Sequence, residues 1–150
     1  MGFYQKNKKE IITLQLISQL LGKIKLEYAA QEPQWAHVVL DITPRGFSTG
    51  LLKYEDSYFQ VEVDLIKHVM LVRTDETDSS ITLRNGKTIS EYYDELMEVS
   101  KSVGLSLSIY TKPQEMETTT LFEEDVEHHH YNESVAREIL EWFQFAWNVE

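Results

Sequence analysis

Histidine, carboxylate and phenol side chains gather near the end of the chain, in "LFEEDVEHHHYNES" at residues 121–134. A histidine beside a carboxylate titrates near neutrality and can take up or deliver a proton, so Asp125 and His128 suggest acid–base work, with Tyr131 placed to hold a substrate oxygen. Three consecutive histidines, His128, His129 and His130, also raise metal binding, because zinc takes histidine and carboxylate ligands and leaves one position open in catalytic sites. Adjacent side chains of an extended chain point to opposite sides, so at most His128 and His130 share a centre. Other ligands would have to come from His37 or His68, on strands earlier in the sequence. His37, His68 and His128 are therefore the metal candidates. The plainer reading is a polar run at a helix entrance, and the undiagnostic spacing favours it. Arg45, in "TPRGFSTG", carries the fork that clamps a carboxylate or phosphate, and is equally an ordinary turn residue beside Gly46. Phosphate-binding loops, nucleophile elbows, HExxH and EF-hand patterns are absent, so no motif names a cofactor or reaction.

Composition narrows the classes. The 150 residues carry 25 acidic against 14 basic side chains, a net charge of −11. Such a field repels phosphate backbones, which argues against nucleic acid as a partner. The chain has no cysteine, which removes disulfides, thiolate metal sites and cysteine nucleophiles and suits a reducing cytoplasm. No stretch approaches the roughly 20 apolar residues of a membrane span, so no membrane partner is expected. At 42% hydrophobic and 26% charged residues, the balance is that of a folded domain, and residues 1–150 are read as one.

The elements that must position these groups follow from periodicity. Ile12, Leu16 and Leu20 with Ile17 and Leu21 predict a helix that Gly22 would end in a left-handed cap. "KIKLEY" then alternates, with Ile24, Leu26 and Tyr28 on one side and Lys23, Lys25 and Glu27 on the other, and reads as a strand. "HVVLDIT", "FSTGLLKY", "YFQVEVDLI", "KHVMLVRT" and "SSITLRNG" follow as closely spaced strands, with Phe59, Val61, Val63 and Leu65 inward and Asp64 outward. Spacing this tight implies antiparallel pairing. Thr88 and Glu91 form a capping box for a helix closed by Gly104, with Tyr92, Leu96, Val99 and Val103 as its buried stripe. "LSLSIY" reads as a last strand. Residues 111–131 show no period, and so long a connection suggests a functional or partner-binding segment. The expected fold is α+β: an antiparallel meander of about five to seven strands, with an N-terminal, a central and a C-terminal helix on one face.

The last helix, "NESVAREILEWFQFAWNVE", is apolar beyond one stripe. Val135, Ile139, Phe143 and Ala146 make the stripe, and Trp142, Phe145 and Trp147 extend it around the circumference. Either its own sheet covers these aromatics, or a second copy of the chain does, since tryptophan and phenylalanine are enriched in interface cores. The resulting reading is a module that binds a small molecule or protein and self-associates through this helix. The alternative is an enzyme, possibly metal-assisted, built on His37, His68, Asp125 and His128.

The ordered set "TLQLISQLLGKIKLEYA", "WAHVVLDITPRGFST", "FQVEVDLIKHVMLVRT", "TISEYYDELM" and "KPQEMETTTLFEEDVEHHHYN" resembles a family of uncharacterised bacterial proteins that carries a domain of unknown function. The resemblance spans roughly residues 13–148 and rests on the collinear set rather than any single motif. It implies that Trp35, His37, Arg45-Gly46, His68, Pro113 and Glu115 belong to the family pattern, together with Phe122, Asp125, His128 and Tyr131. Of the three histidines, it singles out His128. Typical members continue with an aromatic- and glycine-rich second half, so the chain resembles the N-terminal half of such a member, and Asn132 stands where the family has aspartate. The candidate ligand site implied is Trp35, His37, Arg45, His68, Asp125, His128 and Tyr131, with no activity attached.

Overall fold

A computed structural model describes residues 2–29, 40–114, 116 and 118–149, and the side chains only as far as residue 146 at the C-terminal end. The elements run α1 (Phe3–Lys6), α2 (Lys8–Tyr28), β1 (Asp41–Ile42), β2 (Gly46–Ser48), β3 (Leu52–Tyr54), β4 (Ser57–Asp64), β5 (Val69–Thr74), β6 (Asp78–Thr82), α3 (Ile89–Ser102) and α4 (Glu133–Val149). All six strands pair antiparallel in one sheet of order β1-β2-β4-β5-β6, with β3 on the other half of the β4 edge that β2 occupies. The expected α+β class and helix placement hold. Among the described residues, no helix is long and apolar enough to cross a membrane.

β4 is the centre of the sheet because its alternation is complete: Phe59, Val61 and Val63 are buried and continue into buried Leu65. Met70, Val72 and Ile81 join them from β5 and β6, and α2 lays Leu16, Ile17, Leu20, Leu21 and Ile24 into the same cluster. α2 packs against both α3 and α4. Gly46 fits where nothing larger would, since a Cβ there would meet the Val63 carbonyl oxygen at 1.9 Å. Thr43 Oγ1 accepts from the amides of Arg45 and Gly46 at 3.2 and 2.8 Å and shapes the turn before it.

Two expected strands are not strands. The helix does not stop at Gly22: α2 runs unbroken to Tyr28. Ile24 lies three and four residues beyond Leu21 and Leu20, so the helical stripe continues through "KIKLEY" and outweighs its short alternation. Mid-helix glycine costs about 1 kcal/mol, which burial of Ile24 offsets. Lys23, expected on a polar face, is buried instead, with Nζ 4.9 Å from the centre of the Tyr110 ring. "LSLSIY" does alternate in burial but joins no ladder among the described residues. Its Ser108 amide donates to Tyr28 Oη at 2.8 Å, and its Leu107 amide to the Leu105 carbonyl at 3.0 Å, so neither group is free for a sheet edge. Of "HVVLDIT", only Asp41 and Ile42 pair as β1, residues 37–39 lying outside the described residues.

The capping box of α3 is formed: Thr88 Oγ1 accepts from the Glu91 amide, and Glu91 Oε1 accepts from the Thr88 amide, both at 3.1 Å. Gly104 takes a positive φ of 89° just past the helix end. Tyr92 and Leu96 are buried, joined by Ile89 and Ser100, whereas Val99 and Val103 are only half-buried.

Candidate functional site

Residues 121–131 have no period because their backbone bonds go elsewhere. The segment is a strap across the start of α3. The amides of Ser90, Ile89 and Gly86 donate to the carbonyls of Asp125, His128 and His129 at 2.9, 3.1 and 2.7 Å. Ser90 Oγ donates to the Glu123 carbonyl at 2.8 Å, and the Tyr131 amide to Asn85 Oδ1 at 3.1 Å. The Asn85-Gly86 turn is thus one of the strap's anchors.

Asp125 organises the middle of the strap. It is 1% exposed, and its carboxylate is fully engaged: Oδ1 accepts from the amides of Glu127 and His128 at 3.0 Å each. Oδ2 lies 2.7 Å from Nδ1 of His128. An ionised carboxylate only accepts, so Nδ1 donates to it, and in the neutral imidazole Nε2 is then the acceptor nitrogen. Nε2 has no hydrogen-bond partner among the described residues. His128 lines a polar cavity of about 500 Å³ between the strap and the helices α1 and α2, with Tyr4, Lys8, Gln15, Thr118 and Glu127.

His68 is placed by different means. It is the last residue of the β4–β5 turn, one position before β5 and not on a strand as expected, with φ of +59°, a left-handed conformation uncommon for a side chain with a Cβ. Its Nδ1 lies 2.5 Å from Tyr131 Oη, the two rings meeting edge to face at 5.6 Å. Nε2 points at Glu133 Oε1, 3.8 Å away. Burial, reinforced by Tyr92, Glu133 and Asp64, pushes the Tyr131 phenol far up, so its hydroxyl keeps the proton, and with an acceptor carboxylate facing Nε2 that hydroxyl is the donor to Nδ1. The N–H of His68 then sits on Nε2, facing the Glu133 carboxylate. Tyr92 is a second buried phenol, pushed up to about 12 by burial; its hydroxyl donates to the Arg84 carbonyl at 3.2 Å and accepts from the Arg84 amide at 3.1 Å.

The other candidates separate. His129 and His130, expected on opposite sides of the chain, stack ring on ring at 4.4 Å. Burial, then the neighbouring His129 and Lys9, lowers the His130 pKa. Among the described residues, no group of three or more histidine and carboxylate side chains is arranged to hold a metal ion. Arg45 does not stand alone: its Nη1 lies 3.7 Å from Asp64 Oδ2. Asp64, expected outward, is buried and caps the β4–β5 turn by accepting from the amides of Ile66 and Lys67 at 2.9 and 2.8 Å. Strand alternation fails at Asp64 because it is the last residue before that turn. Trp35 and His37 lie outside the described residues.

The terminal helix starts where Asn132 Oδ1 accepts from the Val135 amide at 3.1 Å. Val135, Ala136, Ile139 and Leu140 are buried, and the aromatic positions beyond them are not. Trp142 is 64% and Phe145 68% exposed, and Phe143 is partly uncovered while touching Phe47 edge to face at 6.5 Å. Of the expected stripe, Phe143 and Ala146 are therefore exposed, and the Trp147 side chain lies outside the described residues. A second, apolar cleft of about 440 Å³ opens beside this face, walled by Phe3, Ile11, Leu14, Phe47, Trp142 and Phe143.

Sequence reasoning missed Tyr4, Lys8, Gln15 and Glu127 as cavity walls. They come from segments more than a hundred residues apart and form no local pattern. It also missed Lys87, whose buried ammonium donates to the Thr82 carbonyl at 2.7 Å and pairs with Glu95 Oε2 at 2.9 Å.

The chain belongs to a family of unknown function, DUF5996, whose model matches residues 3–149. No curated protein and no solved structure matches it.

Proposed function

Since membership in that family brings no activity with it, we propose that the protein is an interaction module that self-associates through the aromatic face of α4. The observation that carries this reading is the exposure of Trp142, Phe143 and Phe145 together on one helix. Large apolar side chains clustered on a surface mark interfaces, whereas scattered single ones do not. A second copy would bury them, and tryptophan and phenylalanine are the side chains that most often anchor such contacts. The exposed aromatic face is continuous with the apolar cleft through Trp142 and Phe143, which suits it to receive a protruding side chain of the partner.

The test is mass in solution. Light scattering over a concentration series should give a dimer for the unaltered chain and a monomer for W142E/F145E, with both helical content and thermal unfolding retained. A strict monomer across that series overturns the reading. The enzyme reading draws on one observation, the carboxylate-bound His128, because His68 is engaged by Tyr131 and faces Glu133.

A further inference from the structure

The polar cavity beside His128 has two walls of opposite character. On the strap side the lining residues with acceptor groups are His128 and Glu127. On the helix side Lys8, Gln15 and Tyr4 line it, each with a group able to donate. Lys8 and Glu127 line the same space without forming an ion pair among the described residues. With no ion-pair partner among the described residues, each of the two charges can meet a ligand in this space. At about 500 Å³, the space lies within the range of small-molecule sites.

We infer that this cavity binds a small zwitterion of the α-amino acid class. Its ammonium donates to Glu127 and to His128 Nε2, and its carboxylate accepts from Lys8, Gln15 and Tyr4. The Asp125–His128 hydrogen bond places the proton of the neutral imidazole on Nδ1, and in that form Nε2 receives an N–H. The overall charge agrees with the choice. A chain of net charge −11 disfavours a simple anion at its surface, and Lys8 disfavours a simple cation, whereas a zwitterion satisfies both walls. Ile12 and Met116 supply the apolar part of the lining and would flank the ligand's side chain.

The experiment titrates the full chain with a panel of free L-α-amino acids and with the N-acetyl and methyl-ester forms of each. The His128 ring nitrogens are followed by long-range proton–nitrogen correlation NMR. At least one free amino acid should shift Nε2 of His128 saturably at millimolar concentration, with both blocked forms silent. E127Q and K8M, both at exposed positions, should each weaken that binding about tenfold or more, the loss of one charge-assisted hydrogen bond. The inference is overturned if no free amino acid moves the His128 signals, or if the blocked forms bind as well as the free ones. Self-association through α4 is read by mass and not by these signals, so either result stands without the other.

Discussion

His68 and His128 are nearly equally buried, their side chains 17% and 20% exposed, yet their rings are held in opposite tautomers. His128 gives its Nδ1 proton to a buried carboxylate and keeps the Nε2 lone pair for a polar cavity. His68 accepts a phenol proton at Nδ1 and turns its Nε2–H toward Glu133. The same side chain is therefore a base at one site and a structural link at the other. The partner, not the histidine, decides which. A carboxylate can only accept, so Asp125 draws the His128 N–H to Nδ1 and Glu133 draws the His68 N–H to Nε2, leaving the protonated Tyr131 phenol to donate to Nδ1.

The strongest way to break this contrast is to remove the carboxylate. Asp125→Ala strands the amides of Glu127 and His128 and frees the imidazole, so urea denaturation should show a loss of roughly 3 kcal/mol. The nitrogen shifts of His128 should lose the signature of a fixed Nδ1–H tautomer, while those of His68 stay as they were. If both histidines change together, the two pairs are one network and the comparison fails.

A smaller effect is expected at the other pair. Tyr131→Phe removes one hydroxyl and keeps the ring packing, at a cost of about 1 kcal/mol in the same denaturation experiment. His68 should then exchange between tautomers, with His128 unaltered. Stability equal to that of the unaltered chain would mean that the ring contact, and not the 2.5 Å hydrogen bond, holds the strap's end.

The smallest effect concerns His130, which belongs to neither pair. Its pKa is lowered by burial, then by His129 and Lys9, with Glu10 opposing. A base whose folded pKa lies below its unfolded value binds its proton more readily when unfolded. Its contribution is thus present above the unfolded pKa of about 6.5 and is lost as pH falls through the lower folded one. His130→Gln should flatten the fall in urea midpoint below about pH 6.5 by a modest amount. An unchanged slope would show that His130 does not carry that acid sensitivity.

Regions with one dominant local signal were legible in the sequence. The alternation of β4, the capping box of α3 and the Asn132 cap of α4 are each complete within a few residues, so nothing distant overrides them. "KIKLEY" and "LSLSIY" carried the same alternation and became helix and unpaired chain. The first continues an existing helical stripe, and the second has its amides taken by Tyr28 and by its own turn. Asp64 and Lys23 were assigned outward by period alone, and burial of each depends on contacts that period does not encode. At the site, Asp125, His128 and Tyr131 were legible as chemistry, but the division into two pairs was not. His68 lies 63 residues from Tyr131, and only folding brings them together.

The amino-acid sequence by itself determined the α+β class, the antiparallel sheet, both cap signals and the acidic charge, because these depend on residue type and on neighbours a few positions apart. It also determined that α4 carries more aromatic surface than one stripe can bury. Tertiary structure alone decided that Trp142 and Phe145 remain exposed and that the strap is tied to the start of α3. It also decided that Lys8 faces Glu127 across a cavity and which nitrogen of each histidine bears the proton. Those outcomes depend on hydrogen bonds and solvent exclusion between residues distant in the chain, and a local pattern carries no information about either.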